Sequence, residues 1–169
     1  PIARGGADVH GKPHVMPGAW VTRGNYQPPL LAVAMGKPHH TNRGVRKHRE
    51  LGISIPTRAM AATVDRAGLV SGARVDKSKL FGTFRGKLEH APMAANCPVT
   101  MECRLLKTVD LPVDELFIVE IVNAYADKAC LTGGLPDVRK IDPITLTMPD
   151  NRYWTVGKCA GKAWSIGKG

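Results

Sequence analysis

Residues 20–52 read WVTRGNYQPPLLAVAMGKPHHTNRGVRKHRELG, and the rest of the chain is arranged around them. A strand predicted over 15–22 ends at a polar turn, 25–29. The run 30–35 lacks alternation and predicts a strand buried on both faces. Thr41 is placed to cap a helix over 42–49, with Val45 and His48 facing inward and Arg43 and Lys47 facing water. Gly44 costs that helix about 1 kcal/mol against alanine, so something packs close to it. Two strand ends and a helix start thus gather backbone N–H groups, a hydroxyl, imidazoles and a lysine at one spot. That set holds an anion, and a phosphate above all. His39 and His40 are neighbours on an extended segment and point opposite ways, so one of them at most faces a given pocket.

Outward from this stretch the pattern is rich in strands. Before it, Gly5-Gly6 is expected to break any strand, and residues 10–13 are turn material. Pro1 reads as the start of a trimmed or processed chain, and no signal peptide opens it. After it, Gly52 is expected to end the helix, and 53–55 alternates as a short strand. Thr57 is placed to cap a second helix over 58–66, with Met60, Ala61 and Val64 inward. Residues 69–77 crowd Ser71, Gly72, Asp76 and Lys77 into a loop, a second candidate for a ligand site. Residues 99–109 and 115–126 are two long strands joined by a turn at 111–114, an antiparallel hairpin. Residues 142–148 give one last strand. Two of the three tryptophans, Trp154 and Trp164, follow in a loop-like tail, which reads as a packed tail, a subunit interface or a cover for a ligand. With no β–α–β rhythm and no G-x-G-x-x-G, a doubly wound dinucleotide fold is excluded. The expectation is one mainly β domain over 1–169, a small antiparallel barrel flanked by a few short helices.

Composition narrows the function. The chain has 169 residues, 43% hydrophobic and 22% charged, which suits one globular domain with a real core. The longest apolar run, 30–35, is far too short to span a bilayer, so no membrane partner is expected. The formal charge of +10 fits an anionic ligand. The basic run 43–49 stands without zinc-finger spacing or an RNA-recognition motif, and aromatics are only 5%, so no nucleic acid is expected. Cys97, Cys103, Cys130 and Cys159 form no C-x-x-C pair and no zinc pattern, as expected of a reduced, cytoplasmic chain, and Cys97 reads as a small buried hydrophobe. The histidines match no metal motif. Glu115, Glu120 and Asp127 read as exposed strand faces and turns, and no G-x-S-x-G occurs. With no protein nucleophile or acid–base pair, any chemistry is expected to sit on a cofactor.

Several short motifs, in this order and spacing, carry a resemblance. They are Ala19-Trp20-Val21-Thr22-Arg23, Asn25-Tyr26-Gln27-Pro28-Pro29, Gly36-Lys37-Pro38-His39-His40-Thr41-Asn42, Val70-Ser71-Gly72 with Val75-Asp76-Lys77, Ala91-Pro92-Met93, Cys97-Pro98 and the tail from Met148 to Trp154. The chain resembles the flavin reductase-like family, and most closely its flavoredoxin-like branch. The resemblance implies an FMN-binding split β-barrel, a homodimer with the flavin at the subunit interface, and either NADH or NADPH as hydride donor to FMN or an electron-carrier role. It implies that Trp20, Val21, Thr22 and Asn25 lie along the ring and ribityl chain. Lys37, His39, His40, Thr41 and Asn42 are implied at the phosphate end, and Ser71, Gly72, Asp76 and Lys77 in the loop over the ring. Tyr153 and Trp154 are implied near the other subunit's site. The reductase reading is the primary one, with hydride passing from nicotinamide to flavin and Lys77 favouring the reduced ring. The alternatives are a carrier whose basic surface, including residues 43–49, docks an acidic redox protein, and a non-enzymatic FMN or phosphate-ligand binder. The chain departs from the family at Arg4 and the paired glycines of its first strand, at His39, where many relatives carry serine, and at Pro17-Gly18 beside Trp20.

Overall fold

The computed structural model describes residues 2–69 and 81–168. In chain order its strands and helices are β1 (Ala3–Val9), β2 (Lys12–Gly18), β3 (Val21–Asn25), β4 (Leu30–Gly36), α1 (Thr41–His48), β5 (Glu50–Ile55), α2 (Ala61–Leu69), β6 (Thr83–Phe84), β7 (Met93–Ala94), β8 (Val99–Asp110), β9 (Asp114–Ala126), β10 (Leu131–Thr132), β11 (Leu135–Pro136), α3 (Val138–Ile141), β12 (Ile144–Thr147) and β13 (Arg152–Thr155). No helix among the described residues is long and apolar enough to cross a membrane.

Seven strands form one antiparallel sheet in the order β2-β1-β5-β8-β9-β4-β3. The expected hairpin is its spine, with β8 and β9 paired from Val99↔Ala126 to Asp110↔Glu115. The sheet curls until β2 faces β4. A Cβ on Gly5 would meet both the Met16 and the Met35 side chains at 3.9 Å. Ala7, Met16, Val33, Met35, Leu51, Ile53, Cys103, Phe117 and Val119 fill the interior as one core. β2 and β3 follow one another in sequence yet stand first and last in the sheet, so the barrel is left open along one seam. A bend at Ala19-Trp20 joins them.

The expected single strand over 15–22 is therefore two strands that part at this bend. The run 30–35 is a strand as expected, but only Leu31, Val33 and Met35 face the core, and the residues between them are half-buried. Residues 3–9 overturn the expectation that Gly5-Gly6 breaks a strand. They form β1, buried along its whole length. Gly6 pairs with Gly52 of β5. A Cβ on either would fall 2.1 or 2.2 Å from the Pro92 carbonyl oxygen, so the two glycines let the 90–92 segment lie directly on the sheet. Gly52 accordingly sits inside β5 and does not end α1. That helix ends at Arg49, in the left-handed conformation at φ 57°.

Both helix caps depart from expectation. His40 precedes α1 without a side-chain cap, and Thr41 is its first residue. Thr57 leads into a single 3₁₀ turn, Arg58–Met60, without a capping bond, and α2 follows. Gly44 is explained as anticipated: α1 lies so close on β1 that a Cβ there would stand 2.3 Å from the Asp8 carbonyl oxygen.

Candidate functional site

A cavity of about 240 Å³ lies at the seam. Its floor is apolar, with Ile2, Met16 and Met35, all buried. One side is the bend after β2, Pro17 to Trp20, and the facing side is the end of β4, Ala34 to Gly36. The Ala34 N–H donates to the Trp20 carbonyl at 3.0 Å, which fixes the bend against β4. The Trp20 ring is left half exposed at the rim. His39 enters because Gly36 has no side chain, since a Cβ there would meet the imidazole at 3.2 Å. The His39 N–H donates to the Gly36 carbonyl at 3.0 Å, closing a turn that brings the ring back onto the strand end. Met148 and Tyr153, on the β12–β13 hairpin, form the third side. The Tyr153 hydroxyl donates to Asp65 of α2 at 2.9 Å. Burial, and then that carboxylate, push the phenol up to about 12.

Behind the cavity a polar network holds α1 to the strands. Asn42 is fully buried, and its Nδ2 donates to the Gly36 carbonyl at 3.2 Å and to Glu115 Oε2 at 2.8 Å. Arg46 Nη1 donates to Glu115 Oε1 at 2.6 Å. Glu115 is thus a buried, doubly bound carboxylate, against the expectation of an exposed strand face. At the start of β9 its side chain is reached by α1, which a strand pattern read alone does not show.

Of the residues named from sequence, the cavity brings together Trp20, His39 and Tyr153. Val21 and Thr22 follow on β3, paired with Val33 and Ala32. Val21 packs on the core and Thr22 is exposed. Lys37 stands in the adjoining turn, its ammonium 2.8 Å from Asp110. Thr41 is buried at the first turn of α1. His40 turns the other way, edge-on to His14 with ring centroids 4.7 Å apart. Burial, then Arg43 and His10, hold its imidazole below the ordinary range. Asn25 lies at the far end of β3, where its Nδ2 donates to the Pro28 carbonyl at 3.0 Å. Trp154 is next to Tyr153, its indole donating to Thr147 at 2.9 Å. Ser71, Gly72, Asp76 and Lys77 lie outside the described residues. The cavity residues not named from sequence are mostly apolar: Met16, Ala34, Met35 and Met148. Pro17-Gly18, an interruption beside Trp20, was the sequence signal that the strand turns there.

This arrangement offers a largely apolar slot, an aromatic rim and one imidazole. No group of three or more His, Cys, Asp or Glu among the described residues could hold a metal ion.

A family model described as flavin reductase like domain matches residues 1–141. The chain belongs to the flavin reductase-like family. Within it, flavoredoxin from Methanosarcina acetivorans is 43% identical, with a TM-score of 0.97 over 99% of this chain and 90% of that one. Flavoredoxin of Desulfovibrio vulgaris (Miyazaki F) is 33% identical, with a TM-score of 0.91 over 99% of this chain and 92% of that one. A Shewanella frigidimarina protein with a split barrel domain is 19% identical, with a TM-score of 0.83 over 97% of this chain and 85% of that one, a likeness of fold. The open antiparallel barrel is therefore the split barrel of flavin reductase-like proteins, as expected from sequence.

Proposed function

We propose that this chain is an FMN-binding electron carrier of the flavoredoxin kind, with the flavin ring seated in the seam cavity. Its likeness to two flavoredoxins along nearly its whole length carries this reading. The residues present fit the group. A planar ring suits a slot floored by Met16 and Met35, with the His39 imidazole brought against the strand end by the bare Gly36. At about 240 Å³ the slot is below the roughly 300–1,000 Å³ of a self-sufficient ligand site. One chain thus supplies part of the enclosure, which supports a homodimer in which a second copy supplies the rest.

When bound, FMN supplies the redox centre that takes electrons from a donor and passes them on. The protein's own part is positional. Trp20 and Tyr153 flank the slot and exclude water, and the apolar floor keeps its dielectric low. In this reading His39, Thr41 and Lys37 serve the phosphate end, and His39 contributes a full charge only when protonated. Asn42 acts one step removed, holding α1 and Glu115 so that the turn keeps its shape. Exposed cations on α1 suit an acidic redox protein as electron partner. The family's description favours a second reading, in which NADH or NADPH reduces the flavin directly.

The visible spectrum of the protein loaded with FMN, taken before and after anaerobic NADH or NADPH, separates the two. The carrier reading expects a flavin spectrum that bleaches with dithionite or a low-potential electron-transfer protein and hardly at all with the nicotinamides. Prompt bleaching by either nicotinamide selects the reductase. Failure to take up FMN overturns both.

A further inference from the structure

Arg4 sits within β1, a strand whose neighbouring residues Ala3 and Ala7 are core, and only 1% of it is exposed. Its guanidinium carbon lies 3.2 Å from the centre of the Phe81 ring. Nη1 is 4.0 Å from Cys97 Sγ, and Nη2 has no hydrogen-bond partner among the described residues. The ion pairs among the described residues all use other side chains. Burial pulls Arg4 down to about 10, with Cys97 acting in the opposite sense. A buried cation with an unmet donor is costly, and an anion beside it relieves that cost.

Cys97 lines a second cavity, of about 480 Å³, between the start of β8 and the end of β9. Cys130 lines the same cavity. The two thiols are almost equally exposed, at 8% and 9%. Cys130 Sγ faces the Lys140 carbonyl at 3.6 Å, whereas Cys97 has a guanidinium behind it. Burial pushes the Cys97 thiol up to about 11 against the pull of Arg4, so the resting group is a neutral thiol. An oxygen added to Sγ replaces a weak acceptor with a strong one. Nη1, 4.0 Å from Sγ, is within hydrogen-bonding reach of an oxygen bonded to that sulfur.

We propose that Cys97 is a site of reversible oxidation, at which hydrogen peroxide enters through the cavity and Arg4 holds the resulting sulfenate. The thiol first gives its proton to solvent, and the thiolate, favoured by the Arg4 charge beside it, attacks one peroxide oxygen; the O–O bond breaks and an S–O bond forms. The second oxygen leaves as hydroxide and takes up a proton to become water. Sulfur gives up two electrons and peroxide accepts them. The sulfenic proton passes to solvent, leaving an anion against the guanidinium. A small thiol reverses the step by forming a mixed disulfide with loss of water, and a second thiol then frees Cys97. None of this depends on the flavin reading.

The test treats the native protein with hydrogen peroxide and dimedone and measures the adduct at each cysteine by peptide mass spectrometry. Cys130 is the internal control, with the same cavity and the same exposure but no guanidinium. The expected label on Cys97 is about tenfold that on Cys130, the factor that one charge-assisted hydrogen bond is worth. In urea the ratio falls to parity. Arg4→Gln brings Cys97 down to the level of Cys130, and Arg4→Lys keeps part of the difference. A native ratio at or below parity overturns the proposal, as does unchanged labelling of Cys97 in a folded Arg4→Gln protein. Should that variant not fold, the native-against-urea ratio of the unaltered protein decides alone.

Discussion

At the scale of the residue, the most consequential polar group outside the seam is Glu102. It is fully buried on β8, and its carboxylate accepts from the Lys87 and Leu88 N–H groups at 3.0 and 2.7 Å and from the Tyr125 hydroxyl at 2.7 Å. Burial raises its pKa, but these bonds, with Asn123, outweigh burial and leave it below the ordinary value. Stability from this group is therefore complete above the unfolded value, about 4.3, and is lost as pH falls through the lower folded value. Glu102→Gln is expected to cost about 2 kcal/mol at pH 7, read from urea unfolding, with the deficit shrinking in acid. An equal cost at pH 7 and pH 3 counts against the charged role. Tyr153 runs in the other direction. Its phenol is favoured neutral, so its contribution is complete below pH 10 and fades as pH rises towards about 12. Ultraviolet titration should show a late phenol that disappears in Tyr153→Phe.

At the scale of the element, α1 shows two effects competing. Gly44→Ala favours the helix by about 1 kcal/mol on propensity alone. The added Cβ meets the Asp8 carbonyl oxygen at 2.3 Å and the Ala7 Cβ at 3.0 Å, both on a buried strand that has little room to yield. Overpacking of this kind costs about 1–3 kcal/mol, so the net sign is expected to be destabilising, read as a lower melting temperature. A higher melting temperature would show that α1 can lift off β1. The glycine in the helix was legible as a packing signal because propensity disfavours it there. Gly6 in β1 was not, because its reason, the Pro92 carbonyl lying across it and across Gly52 of β5, comes from a segment far away in the chain. The β8–β9 hairpin was legible at nearly full length, since alternation and a short turn are local. Glu115 was misread for the opposite reason: only the docking of Asn42 and Arg46 makes that position an interior one. In the same way the seam cavity was visible as a strand and a turn, while its third side, Met148 and Tyr153, depends on where the tail folds back.

At the scale of the whole molecule, large apolar side chains gather after β12. Met148, Trp154, Val156, Trp164 and Ile166 are each at least half exposed. None of them belongs to the main core. A chain truncated after Thr147 is therefore expected to keep its circular-dichroism spectrum and lose both self-association and flavin retention, measured by size-exclusion chromatography and visible absorbance. Undiminished dimer and flavin in the truncated chain would remove the tail from both roles. The open seam has one more consequence, which lies in β2. Among the described residues this strand bonds to β1 alone, and Pro13 and Pro17 occupy it two positions either side of Val15. Residues two apart in a strand send their N–H groups the same way, so proline at 13 and 17 removes donors from the free side and leaves only that of Val15. A foreign strand finds almost nothing there to pair with. Replacing both prolines with threonine would restore a continuous row of donors. The protein would then be expected to grow by strand addition into aggregates visible by light scattering, the fate that an incompletely closed sheet must otherwise avoid.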